Sequence, residues 1–85
     1  MEFNIELFGG ENLLYDYAKL MGLIVEKFST QSNFAKAMNL SEQSISLKLN
    51  SKVGWKQKEI TKACSLLGIN KKRIPEYFFN LKVQN

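Results

Sequence analysis

The stretch TQSNFAKAMNLSEQSISLKLN, residues 30–50, decides the fold of this 85-residue chain. Its two halves carry apolar residues at helical spacing, at Phe34, Ala35, Met38, Ile45 and Leu49. Between the halves, Asn39 tolerates the left-handed conformation that ends a helix, and Ser41 is a good N-cap for the next helix. The stretch therefore predicts two short helices joined by a tight turn, which is the layout of a helix-turn-helix.

The flanking sequence predicts further helices and a small all-α domain of four to five helices. The predicted helices span residues 17–28, 31–38, 42–50 and 57–67, and a short fifth helix begins at Pro75. Asp16 is the expected cap of the first helix, and Gly68 is expected to end the fourth. Gly54 provides the break in the loop between the third and fourth helices.

Both ends of the chain alternate apolar and polar residues, which is the period of a β-strand. The apolar positions are Phe3, Ile5 and Leu7 near the start, and Phe79, Leu81 and Val83 near the end. A lone strand leaves backbone groups unpaired, so the two segments are expected to pair with each other or with a second copy, or else to be tails. The predicted division is an N-terminal extension at 1–14, a helix-turn-helix domain at 15–79 and a C-terminal tail or strand at 80–85.

Charge is distributed unevenly along the chain, whose net charge is +4. Residues 1–16 hold four acidic residues and no basic one, which gives −4. Residues 17–85 hold all twelve basic residues and four acidic ones, which gives +8. Such a domain attracts polyanions such as nucleic acid or an acidic membrane surface, although many small soluble proteins are also rich in lysine.

The residue types argue against catalysis and metal binding. The chain has no histidine, the usual general base and the commonest nitrogen ligand of metals. Its single cysteine, Cys64, falls on the apolar stripe of the fourth helix and is interpreted as a core residue. No carboxylates are spaced for acid–base work, and Gly9-Gly10 lacks the Lys-Ser/Thr of a phosphate-binding loop. We therefore expect no enzyme activity, no metal and no cofactor.

No segment of the sequence has the pattern of a secretory signal or a membrane span. The first residues are acidic, and the longest apolar run, around residues 20–25, is interrupted by Gly22. A single cysteine fits a reducing compartment. We therefore expect a cytoplasmic protein of a bacterial host cell with no membrane partner.

Residues 30–50 resemble the helix-turn-helix of the Cro/repressor-type regulators of phages and plasmids. The matching positions are Gln31, Ala35, Asn39, Ile45 and Asn50. Asn39 stands at the turn that is usually glycine, and both residues accept a positive φ. Lys48 departs from the pattern, because the family usually has an apolar residue three positions after Ile45. The resemblance extends over residues 15–79 and implies a Cro-like phage repressor, a homodimer that occupies operator DNA and regulates transcription.

A recognition helix in the major groove would bring a polar set of side chains to double-stranded DNA. The side chains expected near base edges are Gln43, Ser44, Ser46 and Leu47. Those expected near the DNA backbone are Gln31, Ser32, Lys48, Asn50, Lys52 and Lys56. Glu42 is more typical of a charge in the first turn of a helix than of direct base readout.

Two other functions stay open. The first is a protein-interaction module that keeps the helix-turn-helix scaffold but binds another regulator, such as a repressor. Glu42, the small serines and Leu47 on the recognition helix favour it, as does the acidic N-terminal segment. The second is an antitoxin-like component in which the terminal segments clasp a partner protein.

Overall fold

The computed structural model describes residues 14–82, which form five α-helices. They are α1 (Ala18–Phe28), α2 (Gln31–Met38), α3 (Glu42–Leu49), α4 (Gln57–Leu67) and α5 (Ile74–Phe78), with a 3-10 turn at Lys71–Arg73 leading into α5. Helix α2 packs against α1, α3 and α4, and α1 also contacts α4 and α5. The predicted all-α class is confirmed, and residues 14–82 contain no regular strand. Within this range no helix has both the length and the apolar character needed to cross a membrane.

Two hydroxyl groups start the helices of the motif. The Thr30 Oγ1 accepts a hydrogen bond from the backbone N–H of Asn33 at 3.0 Å and caps α2. The Ser41 Oγ accepts from the backbone N–H of Ser44 at 3.0 Å and caps α3. Each bond satisfies a donor that the first turn of a helix leaves without a partner inside the helix. The predicted capping role of Ser41 is confirmed.

The turn between α2 and α3 depends on one residue in the left-handed conformation. Asn39 has φ 61° and ψ 40°, and it is the C-cap of α2. The backbone N–H of Leu40 then donates to the carbonyl oxygen of Ala35 at 2.9 Å, which closes the last turn of the helix. Asparagine adopts this conformation more readily than most residues, so the predicted role of Asn39 is confirmed.

Three helix boundaries differ from the prediction by one residue each. Helix α1 begins at Ala18, whose backbone N–H donates to the Asp16 Oδ1 at 2.9 Å. Helix α3 ends at Leu49, with Asn50 as its C-cap. The fifth helix begins at Ile74 rather than Pro75, because Ile74 directly follows a 3-10 turn and already has helical backbone angles.

The core is formed by the apolar faces of the helices. Its largest fully buried side chains are Leu20, Ile24, Phe34, Ile45, Leu67 and Phe78. Each such side chain contributes about 2 kcal/mol by its removal from water. Trp55, in the loop between α3 and α4, packs edge-to-face on Phe78, with ring centroids 5.2 Å apart. The loop is therefore attached to the core.

The C-terminal segment pairs with the residues that precede α1. Tyr15 and Leu81 form an isolated antiparallel bridge, flanked by hydrogen bonds from the Asp16 N–H to the Asn80 oxygen at 2.7 Å and from the Lys82 N–H to the Leu14 oxygen at 2.8 Å. The segment around Leu81, where the sequence predicts a strand, thus forms a single β-bridge. The expected pairing with residues 3–7 lies outside the described residues.

A buried ion pair joins α3 to the start of α4. The Lys48 Nζ lies 3.0 Å from the Glu59 Oε1 and donates to the carbonyl oxygen of Gly54 at 3.2 Å. The same Glu59 oxygen accepts from the backbone N–H of Lys56 at 2.8 Å. Only 4% of the Lys48 side chain and 15% of the Glu59 side chain are exposed. Both charges are therefore satisfied inside the fold by one another and by backbone groups.

We expect Lys48→Ala to lower the free energy of unfolding by about 3 kcal/mol, because it leaves the Glu59 carboxylate buried without its cation. Lys48→Met combined with Glu59→Gln should recover most of the loss, because an apolar stem replaces the ammonium and glutamine keeps the capping bond. Urea unfolding followed by the fluorescence of Trp55, the only tryptophan of the chain, measures both changes. Equal losses in the single and the double variant would contradict the role of the pair.

The same ion pair predicts a dependence of stability on pH. Burial acts to raise the pKa of Glu59, but the Lys56 N–H and the Lys48 ammonium outweigh it, and the net pKa is lowered. A carboxyl with a lowered pKa stabilises the fold above its unfolded pKa, and this contribution is lost as the pH falls through the folded pKa. The stability difference between the wild type and Glu59→Gln should therefore shrink between about pH 6 and pH 3.

Urea midpoints of the two proteins across this range measure the difference. Glu76 has a pKa lowered to about 2 by hydrogen bonds from Arg73 and Lys19, and it is present in both proteins, so its titration cancels. A difference that stays constant with pH would show that the charge of Glu59 does not stabilise the fold.

Candidate functional site

The outward face of α3 carries a mixed set of side chains. Gln43 and Leu47 are exposed, and Ser44 and Ser46 are half-buried. Gln43 and Leu47 are four residues apart and so lie on one side of the helix. Glu42 is also exposed, in the first turn. The four side chains expected at base edges thus lie on or beside one face, and their contacts with bases stay a prediction.

Two residues expected at the DNA backbone point elsewhere. Lys48 is 3% exposed and is held by Glu59, so the expectation that it reaches a phosphate is wrong. The Asn50 side-chain amide donates to the carbonyl oxygen of Ser46 at 2.8 Å and so folds back onto its own helix. The sequence signal for Lys48 is its position three residues after the buried Ile45, on the apolar side of the helix.

The other four residues of the backbone set lie at the borders of the motif. Gln31 and Ser32 are half-buried in the first turn of α2. Lys52 and Lys56 are exposed in the loop between α3 and α4. None of these four residues belongs to α3 itself.

An apolar pair stands at the end of α3. The backbone N–H groups of Lys52 and Val53 donate to the carbonyl oxygen of Leu47 at 2.9 and 3.3 Å, which brings the loop back beside the helix. Leu47 is 37% exposed and Val53 is 45% exposed. Sequence reasoning did not select Val53, although an apolar residue in the polar loop Ser-Lys-Val-Gly is a usable signal.

The charge of α3 differs from that of the molecule. Residues 14–82 hold all twelve basic residues and five acidic ones, a net charge of +7. Helix α3 itself has only Glu42 and Lys48 as charged residues. Because Lys48 is buried against Glu59, Glu42 in the first turn is the one exposed charged residue of this helix.

Burial raises the pKa of two side chains in the core, Tyr17 and Cys64. The pKa of Tyr17 is raised to about 12, mainly by burial and to a smaller extent by the charge of the neighbouring Tyr15. Burial also raises the pKa of the Cys64 thiol, which disfavours the reactive thiolate. No group of three or more histidine, cysteine, aspartate or glutamate residues between residues 14 and 82 could hold a metal ion.

Comparisons with known proteins identify relatives of a different kind from those expected. The family DUF739, described as "Protein of unknown function", matches residues 13–81. The solution structure of the modulator of repression of the temperate bacteriophage TP901-1 from Lactococcus lactis is similar, with 58% sequence identity and a TM-score of 0.70. The similarity covers 82% of this chain and 95% of that chain. No curated protein matches this chain.

These findings correct the interpretation drawn from the recognition helix. The prediction of a Cro-like repressor that binds operator DNA is wrong, because the similar protein is a modulator of repression. The predicted homodimer gains no support either. The alternative of a module that binds another regulator agrees better with this relative. Because the family matches most of its length, this chain belongs to the DUF739 family.

Proposed function

We propose that this chain binds a repressor protein and modulates repression through that contact, with the outward face of α3 as the binding surface. The proposal takes its direction from the relative that modulates repression in phage TP901-1. It assigns the chain a regulatory rather than a catalytic role.

The observation that carries the proposal is the inward position of Lys48. A helix that binds DNA gains affinity from cations that neutralise phosphates. Here the only cation of α3 is neutralised inside the fold by Glu59 at 3.0 Å, and the only exposed charge of the helix is the carboxylate of Glu42 in its first turn. A carboxylate facing DNA phosphates is repelled, whereas the same group is readily accommodated at a protein interface.

The face also has the composition of a protein interface. Leu47 and Val53 are exposed apolar residues joined by a backbone hydrogen bond, and Gln43, four residues before Leu47, supplies an amide donor and acceptor. Interfaces commonly combine an apolar centre with a polar rim. In the proposal, the four residues first assigned to bases contact the repressor instead, and the rim is formed by Gln31, Ser32, Asn50, Lys52 and Lys56.

The proposal is tested by isothermal titration of this chain against the repressor of phage TP901-1. Binding is expected, because the 58% identical relative acts on repression in that phage. The TP901-1 modulator serves as the positive control. If that modulator binds the repressor and this chain does not, the proposed function is wrong.

A matched pair of leucine variants tests the binding face. Leu47 on α3 and Leu66 on α4 are 37% and 36% exposed. Leu47→Glu should weaken binding at least about tenfold, because it places a charge in the apolar centre of the interface. Leu66→Glu makes the same chemical change on another helix and should change the affinity by less than about twofold. Equal effects of the two variants in the same titration would contradict the assignment of the face to α3.

A further inference from the structure

A groove separates the start of α1 from the end of α3. It encloses about 200 Å³, and its apolar lining includes Leu14, Tyr15, Met21 and Leu49. Asp16 and Lys82 are also among its lining residues. An engineered apolar cavity of about 150 Å³ holds one benzene ring, whereas sites for small-molecule ligands usually measure about 300–1,000 Å³. The size of this groove therefore suits one large apolar side chain better than a cofactor.

Most polar groups of the groove are engaged by their own neighbours. The Ser51 hydroxyl donates to the Tyr15 carbonyl oxygen at 3.0 Å and accepts from the Tyr15 N–H at 3.2 Å. The Asp16 Oδ1 accepts from the Ala18 N–H at 2.9 Å. Asn50 is bonded to the Ser46 carbonyl oxygen. Because they are hydrogen-bonded within the protein, these polar groups hold one side of the groove in place.

Lys82 is the exception among the charged groups of the groove. Its side chain forms no ion pair with any residue between 14 and 82. Lys82 is exposed, and its backbone N–H donates a hydrogen bond to the carbonyl oxygen of Leu14. A partner that inserts an apolar side chain with a carboxylate beside it would therefore complement both the lining and the charge of the groove.

The groove is continuous with the face of α3. Gln43, Leu47 and Asn50 follow one another at spacings of four and three residues, so they lie along one side of the helix. Asn50 lines the groove at the end of this row. A segment that lies along the outward face of α3 therefore passes over Leu47 and reaches the groove.

We infer that the groove receives one large apolar side chain of the bound repressor, with a carboxylate of the repressor placed on Lys82. This inference rests on the proposed function and names the second anchor of that interface. A side chain seated in a preformed pocket is desolvated on all sides, which is the usual setting of the residues that dominate binding energy. Leu47 and the groove would then hold the partner at two points along α3.

Ala18 offers a way to close the groove without removing a core side chain. It is exposed in the first turn of α1 and lines the groove. Ala18→Phe should fill the groove and weaken binding of the TP901-1 repressor at least about tenfold. Ala18→Ser, which keeps the groove open, should change the affinity by less than about twofold.

A second pair of variants tests the charge. Lys82→Glu should weaken binding several-fold and reduce its sensitivity to salt, because it reverses the attraction for a carboxylate. Lys27→Glu makes the same change in the last turn of α1, at the end of that helix far from the groove, and should have a smaller effect. This pair also keeps the inference testable if Ala18→Phe does not fold.

Titration of the wild type and the four variants against the TP901-1 repressor distinguishes failure of the proposed function from failure of the groove inference. No binding by the wild type, with binding by the TP901-1 modulator, overturns the proposed function and the groove inference together. Binding by the wild type that Ala18→Phe and Lys82→Glu leave unchanged overturns the groove inference alone. In the wild-type complex, nuclear Overhauser contacts from repressor protons to the Met21 methyl group are expected, and their absence would contradict the inserted side chain.

Discussion

The ion pair between Lys48 and Glu59 determines how the helix-turn-helix is presented. An unpaired charge in the interior costs several kcal/mol, so both groups must keep their partners for the fold to be stable. Lys48 has Glu59 at 3.0 Å and the Gly54 carbonyl at 3.2 Å, and Glu59 also caps the start of α4 through the Lys56 N–H. Together with the burial of Ile45 and Leu49, these bonds hold the orientation of α3 and the path of the loop that follows it.

The rotation of α3 decides which side chains meet a partner. Ile45, Lys48 and Leu49 lie at spacings of three and one residues and are all buried. The opposite side of the helix must then carry Gln43 and Leu47. The loop returns beside Leu47 through backbone bonds, and Ser51 bonds the end of α3 to Tyr15. The buried pair, together with Ile45 and Leu49, thus orients the outward face of α3, and the bonds between Ser51 and Tyr15 form one wall of the adjoining groove.

Local signals made most of the helical fold predictable. Apolar spacing and capping residues act within one or two turns, so the bounds of α2 and α4 and the roles of Asn39 and Ser41 follow from the sequence. For Lys48 the same spacing indicates the apolar side of α3, but it does not identify the partner that allows a lysine to be buried there. A lysine is usually exposed, and its partner Glu59 lies in another helix that the sequence does not position. The bridge between Tyr15 and Leu81 does not follow from the sequence, because only one of its two segments shows an alternating pattern.

A helix-turn-helix scaffold presents one helix to a partner, but the chemistry of that helix decides what the partner is. If the chain binds a repressor as proposed, the +7 charge of residues 14–82 attracts acidic surfaces of that protein. This electrostatic attraction acts at long range and does not distinguish one acidic surface from another. Selectivity must then come from short-range contacts along the side of α3 that carries Gln43 and Leu47. Leu47 and the groove are such contacts, since they reward only a partner with apolar side chains at matching spacing. A phosphate backbone offers no such side chains, so on the proposed function these contacts would favour a repressor over DNA.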